Sequence, residues 1–280
     1  MSPYRTLIQT QELRPLLEND GVIVIDCRFD LADLEAGRRA YLEAHIKGAV
    51  YAHLDEDLSG PQYPGSGRHP LPSPKRLEKI FGKFGVTVGR QVVAYDASGG
   101  MVAARLWWQL RYMGHEAVAV LDGGWPAWIA SGGDTASGEQ RNPPTKFEGR
   151  PHFERVVETK QVLEQRRLVD SRDPARYRGE SEPIDPVAGH IPGAVNYFCK
   201  RNLTADGRFL TPAALRPALS GVFGAVPAAE VTFYCGSGVT ACHNILATVH
   251  AGFQEPRLYA GSWSEWCADP ARPVARGEAP

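Results

Sequence analysis

Short β-branched runs and amphipathic stretches alternate along this chain. Residues 22–26, 92–95 and 117–121 read as strands in the first half, and 168–170, 231–234 and a run near 257–259 in the second. Between them, 77–84 and 103–113 space apolar residues for one helix face, and 240–250 is compatible with a further helix. Such alternation predicts an α/β fold of βα units, a mostly parallel sheet with helices on both faces. The first twenty residues are polar and helix-like, with no signal-type apolar core.

The pattern occurs twice. Val24-Ile25-Asp26-Cys27-Arg28 is answered by Leu168-Val169-Asp170-Ser171-Arg172, and His45-Ile46-Lys47-Gly48-Ala49 by His190-Ile191-Pro192-Gly193-Ala194. Gly124-Trp125-Pro126-Ala127-Trp128 is answered by Gly261-Ser262-Trp263-Ser264-Glu265-Trp266. An offset of about half the chain means duplicated domains, since solenoid periods run roughly 20–50 residues. The segment 132–152 is rich in Gly, Pro, Ser and charge. It predicts a boundary, with domains at 1–133 and 153–280 joined by a linker at 134–152.

Superposing the repeats sets the run 92–96 on 231–235, so Asp96 stands where the second half has Cys235. An aspartate cannot act as a soft sulfur nucleophile, which makes the first half the chemically silent one. Around Cys235 an apolar strand stops, two glycines follow at 236 and 238, and a helix begins near Thr240. The amides of such a loop and the positive helix end converge on one point. A thiol held there is stabilised as thiolate, with pKa values at such sites of roughly 3.5–7.5. Cys235 is therefore a candidate nucleophile.

Composition narrows the setting. The net charge of −1 gives no footprint for nucleic acid or an anionic membrane, and no run reaches the apolar length of a membrane span. The cysteines at 27, 199, 235, 242 and 267 are odd in number and form no CxxC pair, which argues against a disulfide scaffold or structural zinc. A cytoplasmic, reducing location would keep Cys235 free. A cysteine phosphatase needs an arginine closing a longer loop, but Ala241, Cys242 and His243 follow Thr240. A non-catalytic sulfur relay or redox sensor needs the thiol without a substrate pocket. A Cys235–Cys242 resolving pair lies two helical turns apart, about 10.5 Å by rise, beyond disulfide reach.

With these landmarks in place, the chain resembles the tandem-domain sulfurtransferases of the rhodanese superfamily over nearly its whole length. The loop Cys235-Gly236-Ser237-Gly238-Val239-Thr240 is similar to the 3-mercaptopyruvate type, whereas thiosulfate-using members tend to carry Arg-Lys at 236–237. The resemblance implies two rhodanese-like domains and a Cys235 persulfide loaded from 3-mercaptopyruvate, with thiosulfate as the alternative donor. The sulfur would pass to a thiol such as thioredoxin or glutathione, or to cyanide, and no cofactor is needed. It implies that Ser237, His69 and Asp55 form a proton relay and that Arg176 binds the donor's anionic group. Gly236, Gly238, Val239 and Thr240 would line the substrate loop. In one respect the chain departs from the pattern. A second substrate arginine is expected about nine residues after Arg176, where Ile184 stands, leaving Arg178 or Arg201 to compensate.

Overall fold

The computed structural model describes residues 3–18 and 21–280; residues 1, 2, 19 and 20 of the polar amino-terminal stretch lie outside the described residues. The chain divides into two compact units. One comprises 1–60, 72–152 and 205–209, and the other 61–71, 153–204 and 210–280. Each unit thus takes in a short segment from the opposite half of the sequence.

The first unit holds a five-stranded sheet in the order Leu7–Ile8, Val118–Leu121, Gln91–Tyr95, Val22–Asp26, Val50–Tyr51, parallel throughout. The second holds Arg257–Leu258, Val231–Tyr234, Arg167–Asp170 and Ala194–Asn196, also all parallel. The central strands are buried along almost their full length, which is why they read as apolar runs rather than alternating ones. Three of the described helices are launched by a side-chain cap followed by proline. Ser73 accepts from Arg76 N–H ahead of Pro74–Lys83, Thr211 from Ala214 N–H ahead of Pro212–Phe223, and Asp173 from Ala175 N–H ahead of Pro174–Arg178.

Observed elements follow the periodicity to within a few residues at their ends. The hydrophobic pattern does not reveal the two-residue strands Leu7–Ile8 and Val50–Tyr51, or the antiparallel pair His45–Ile46 with Thr135–Ala136. Runs that short have no period to detect. Residues 134–152 run along the first unit. Gly138 N–H donates to Leu42 O, Thr145 N–H to Gly82 O, Arg150 N–H to Met113 O and His152 N–H to Tyr112 O, at 2.8–2.9 Å.

The doubled sequence landmarks meet in a buried knot, once per unit. In the second unit Asp170 takes a forked pair of bonds from Arg172 (Nε 3.1 Å, Nη2 2.6 Å), and Arg172 also donates to the Gly189 carbonyl at 2.6 Å. The Arg172 guanidinium lies 4.7 Å from the Trp263 ring centroid, and Trp263 N–H donates to the Cys235 carbonyl at 3.0 Å. His190 stacks on Tyr177 at 3.8 Å, and Tyr234 hydroxyl accepts from Ile191 N–H. The first unit repeats each contact with Asp26, Arg28, Trp125, His45, Tyr41 and Tyr95. Burial alone would pull the Arg172 guanidinium down, but the charge and hydrogen bonds of Asp170, with the Glu182 carboxylate, hold it above its ordinary value.

Removing one partner of such a pair strands the other. Asp170→Ala is expected to destabilise the second unit by about 3–5 kcal/mol. The shift should show as a lower urea midpoint followed by tryptophan fluorescence, and an unchanged midpoint would contradict the role given to the pair.

Candidate active site

Cys235 follows directly on the strand Val231–Tyr234, five residues before the helix Thr240–His250, and is 2% exposed. Its N–H donates to Ser262 Oγ at 3.1 Å, and Ser262 passes a bond to the Tyr259 carbonyl at 2.9 Å. Ser262 has φ 57°, unique among the described non-glycine residues. A left-handed serine costs on the order of 1–3 kcal/mol, so the surroundings must hold it there. The repeat uses a glycine at this point. Gly124 has φ 53°, and a Cβ on it would meet the Asp96 carbonyl oxygen at 2.2 Å. The doubled Gly-x-Trp signature contained this serine, but its spacing alone gave no sign of the strained backbone.

The loop closes through Gly238. Its φ is 76°, and a Cβ there would lie 2.4 Å from the Ala260 carbonyl oxygen, so only glycine fits. Val239 is the N-cap and Thr240 the first helical residue, which puts the candidate loop residues at the helix's positive end.

Three side chains crowd this loop. His69 Nδ1 lies 2.7 Å from Ser237 Oγ, with both residues under a tenth exposed. Arg176 and Arg68 flank Gly236: a methyl group added to it would lie 3.2 Å from Arg68 Nη2 and 3.6 Å from Arg176 Nη1. Both guanidiniums are held by acids. Arg176 donates to Glu182 (3.1 and 2.7 Å) and to Asp185 Oδ2 (3.0 Å), while Arg68 Nη1 donates to Asp185 Oδ1 (2.6 Å). Cys235, Ser237, His69 and Arg176 therefore belong to one compact unit, His69 through the segment 61–71.

Asp55 belongs to the other unit, where its N–H donates to His53 Nδ1 at 3.2 Å. Desolvation pushes its half-buried carboxyl up, against the pull of His53. Ile184 is exposed, and the two arginines named to compensate for it are engaged elsewhere. Arg178 forks Glu180 at 2.7 and 2.8 Å, and Arg201 lies over the Tyr197 ring. Arg68 is the guanidinium the sequence did not reveal, because its nearness to Gly236 depends on a loop folding back across well over a hundred residues.

At the matching place in the first unit, the Asp96 carboxylate accepts from four main-chain N–H groups: Ser98 and Gly100 on Oδ1, Val102 and Ala103 on Oδ2, at 2.8–2.9 Å. A side-chain anion fills the cradle that the helix Ala103–Tyr112 presents.

The remaining cysteines are free and buried. Burial pushes the Cys199 thiol up to about 12, with the nearby Cys235 adding to the rise, and pushes Cys267 up to about 11. One cluster, Glu35, His53 and Glu56, has ligand atoms within 4.8 Å of one another. Its donors are already engaged. His53 Nε2 bonds the Leu34 carbonyl, His53 Nδ1 accepts two main-chain N–H groups, and Arg38 pairs with both glutamates.

Known proteins resemble the chain along most of its length. A family model described as rhodanese-like domain matches residues 9–131 and again 154–269. A probable 3-mercaptopyruvate sulfurtransferase of Pseudomonas aeruginosa is 46% identical, with 97% of this chain and 98% of that protein covered. A putative thiosulfate sulfurtransferase of Mycobacterium tuberculosis is 39% identical, with 98% of each covered. Among solved structures, the 3-mercaptopyruvate sulfurtransferase from Leishmania major superposes with TM-score 0.84 at 31% identity, over 94% of this chain and 74% of that one. With the domain matched twice and the same knot beneath both sheets, the chain belongs to the rhodanese-like family.

Proposed function

We propose that the chain is a sulfurtransferase that takes its sulfur from 3-mercaptopyruvate through a persulfide on Cys235. The observation that carries this reading is the buried Cys235 loop, with the Ser237–His69 pair on one residue and the Arg176 guanidinium against Gly236. The names of the Pseudomonas and Leishmania relatives agree with it.

In the first half-reaction the Cys235 thiolate attacks the donor's sulfur. The S–S bond forms as the donor's C–S bond breaks, and the electron pair leaves on carbon as the enolate of pyruvate. That carbon takes up one proton, for which Ser237 and His69 form the delivery route. Arg176 holds the donor's carboxylate through Nη1, its Nε and Nη2 being engaged by Glu182 and Asp185. In the second half-reaction a thiol such as thioredoxin or glutathione, or cyanide, attacks the outer sulfur and restores the thiolate. Loop amides stabilise the anion at each stage. A cytoplasmic, reducing setting suits an enzyme whose cysteines are all free.

The first unit is the silent partner in this scheme, since Asp96 occupies its own cradle. A second reading, thiosulfate as donor, draws on the exposed Ile184 and the Mycobacterium relative's name. Against it, Gly236 and Ser237 place no cation on the loop for a dianion.

Mercaptopyruvate treatment should add one sulfur atom to the peptide containing Cys235, and Cys235→Ser should abolish turnover; a variant with normal activity sinks the mechanism. With cyanide as common acceptor, kcat/KM for 3-mercaptopyruvate should exceed that for thiosulfate, and the reverse order would transfer the assignment to thiosulfate.

His69→Ala is expected to lower kcat by about 10²–10⁴-fold while circular dichroism stays unchanged. For Asp55 the proposal rests on the resemblance, and Asp55→Asn should lower kcat by less than His69→Ala does. Equal rates in wild type and His69→Ala would remove the relay.

Thiol titration offers a pH check. Raised values keep Cys199 (about 12) and Cys267 (about 11) protonated at neutral pH. Limiting iodoacetamide between pH 6 and 8 should therefore modify Cys235 first, and labelling of the other two should grow only as the solution becomes strongly alkaline. Peptide mapping that finds Cys199 or Cys267 labelled first would contradict this order.

A further inference from the structure

We infer that Asp185 determines which class of donor the site accepts. Its buried carboxylate cancels a positive charge beside the cysteine loop, so that a monoanion such as 3-mercaptopyruvate is admitted and a dianion such as thiosulfate is disfavoured. This deepens the mercaptopyruvate reading and rests on it for the identity of the donor.

Asp185 belongs to a run of alternating charges. Asp170 pairs with Arg172 at 2.6 Å, Arg172 with Glu182 at 3.2 Å, and Glu182 with Arg176 at 2.7 Å. Arg176 then pairs with Asp185 Oδ2 at 3.0 Å, and Asp185 Oδ1 with Arg68 at 2.6 Å. The run begins in the buried knot and ends at the cysteine loop, where Arg176 and Arg68 are the side chains that a methyl group on Gly236 would meet. Three guanidiniums alternate with three carboxylates, so the run as a whole carries no net charge.

Neither arginine depends on Asp185 for its place. Glu182 already forks Arg176, taking Nε at 3.1 Å and Nη2 at 2.7 Å. The main chain of Arg68 is fixed on both sides: its N–H donates to Ser264 Oγ at 3.0 Å, and its carbonyl accepts from Gln62 Nε2 at 2.7 Å. A second acid between the two guanidiniums is therefore redundant for orientation. What it alone supplies is negative charge.

Coulomb energy scales with the product of the charges, so one uncompensated positive charge at this place would help a dianion twice as much as a monoanion. The Asp185 side chain is 2% exposed, and water and salt screen a buried charge far less than a surface one. Its neighbour Ile184 is exposed and brings no charge of its own. With Asp185 in place, an incoming group is held by directed N–H bonds rather than by excess positive charge, which suits a planar carboxylate. Without it, the end of the run beside Gly236 would be cationic.

Asp185→Asn in the full chain keeps the shape of the side chain and removes its charge. With cyanide as common acceptor, it should raise the ratio of kcat/KM for thiosulfate to kcat/KM for 3-mercaptopyruvate roughly tenfold. Alkylation of Cys235 gives a version free of any donor, because iodoacetate is an anion and iodoacetamide is uncharged. Here too the two reagents differ by one unit of charge, and the iodoacetate-to-iodoacetamide rate ratio should rise by roughly the same factor. Asp185→Ser, a smaller neutral variant, should raise both ratios, whereas Asp185→Glu, which keeps the charge, should leave them near the wild-type values. A residue that merely positioned the arginines would act with the opposite sign, since its loss would weaken the hold on every anion. Ratios that are unchanged or lowered in the neutral variants therefore overturn the assignment. A wild type that itself prefers thiosulfate would refute the mercaptopyruvate reading, while the alkylation ratio would still decide the role of Asp185.

Discussion

The buried pairing of Asp170 with Arg172 is the constraint on which the second unit's site depends. Its guanidinium reaches the Asp170 carboxylate, the Gly189 carbonyl, Glu182 and the face of Trp263. Trp263 in turn holds the carbonyl of Cys235, and Glu182 holds Arg176. A single charge therefore orients both the candidate nucleophile's backbone and the candidate anion-binding arginine. Desolvating such a pair is costly, and it is sustained only because nearly every donor has an acceptor.

The same knot underlies both units, yet their loops have opposite fates. Where the first unit has Asp96, the carboxylate itself satisfies the amides at the helix start, and the loop is a closed electrostatic circuit. At the equivalent place the second loop carries a thiol, which accepts hydrogen bonds far more weakly than a carboxylate.

The duplication, the parallel βα architecture and the cysteine loop were legible because each rests on local signals: apolar runs, paired landmarks, glycines round a cysteine. The landmarks had been conspicuous without their meaning being plain, since Asp170, Arg172, His190 and Trp263 come together only when the strands pair. Segment 61–71 was reached only through the family resemblance, which named His69 and not Arg68. Its prolines and glycines mark a loop, but nothing in them says that Arg68 and His69 pack with residues 176–264. The strained Ser262 was hidden likewise, because a left-handed serine has no composition to betray it.

Reciprocal borrowing of short segments bears on how the chain is made. The first unit includes 205–209, where Phe209 N–H donates to Asp122 Oδ1 at 2.8 Å and Arg208 donates to Gln9 at 3.1 Å. A ribosome must therefore deliver nearly half of the second half, as far as Phe209, before the first can close its last hydrogen bonds. Folding of this chain cannot run strictly from one end to the other, and the nascent first unit must wait, nearly complete, for five residues encoded far downstream.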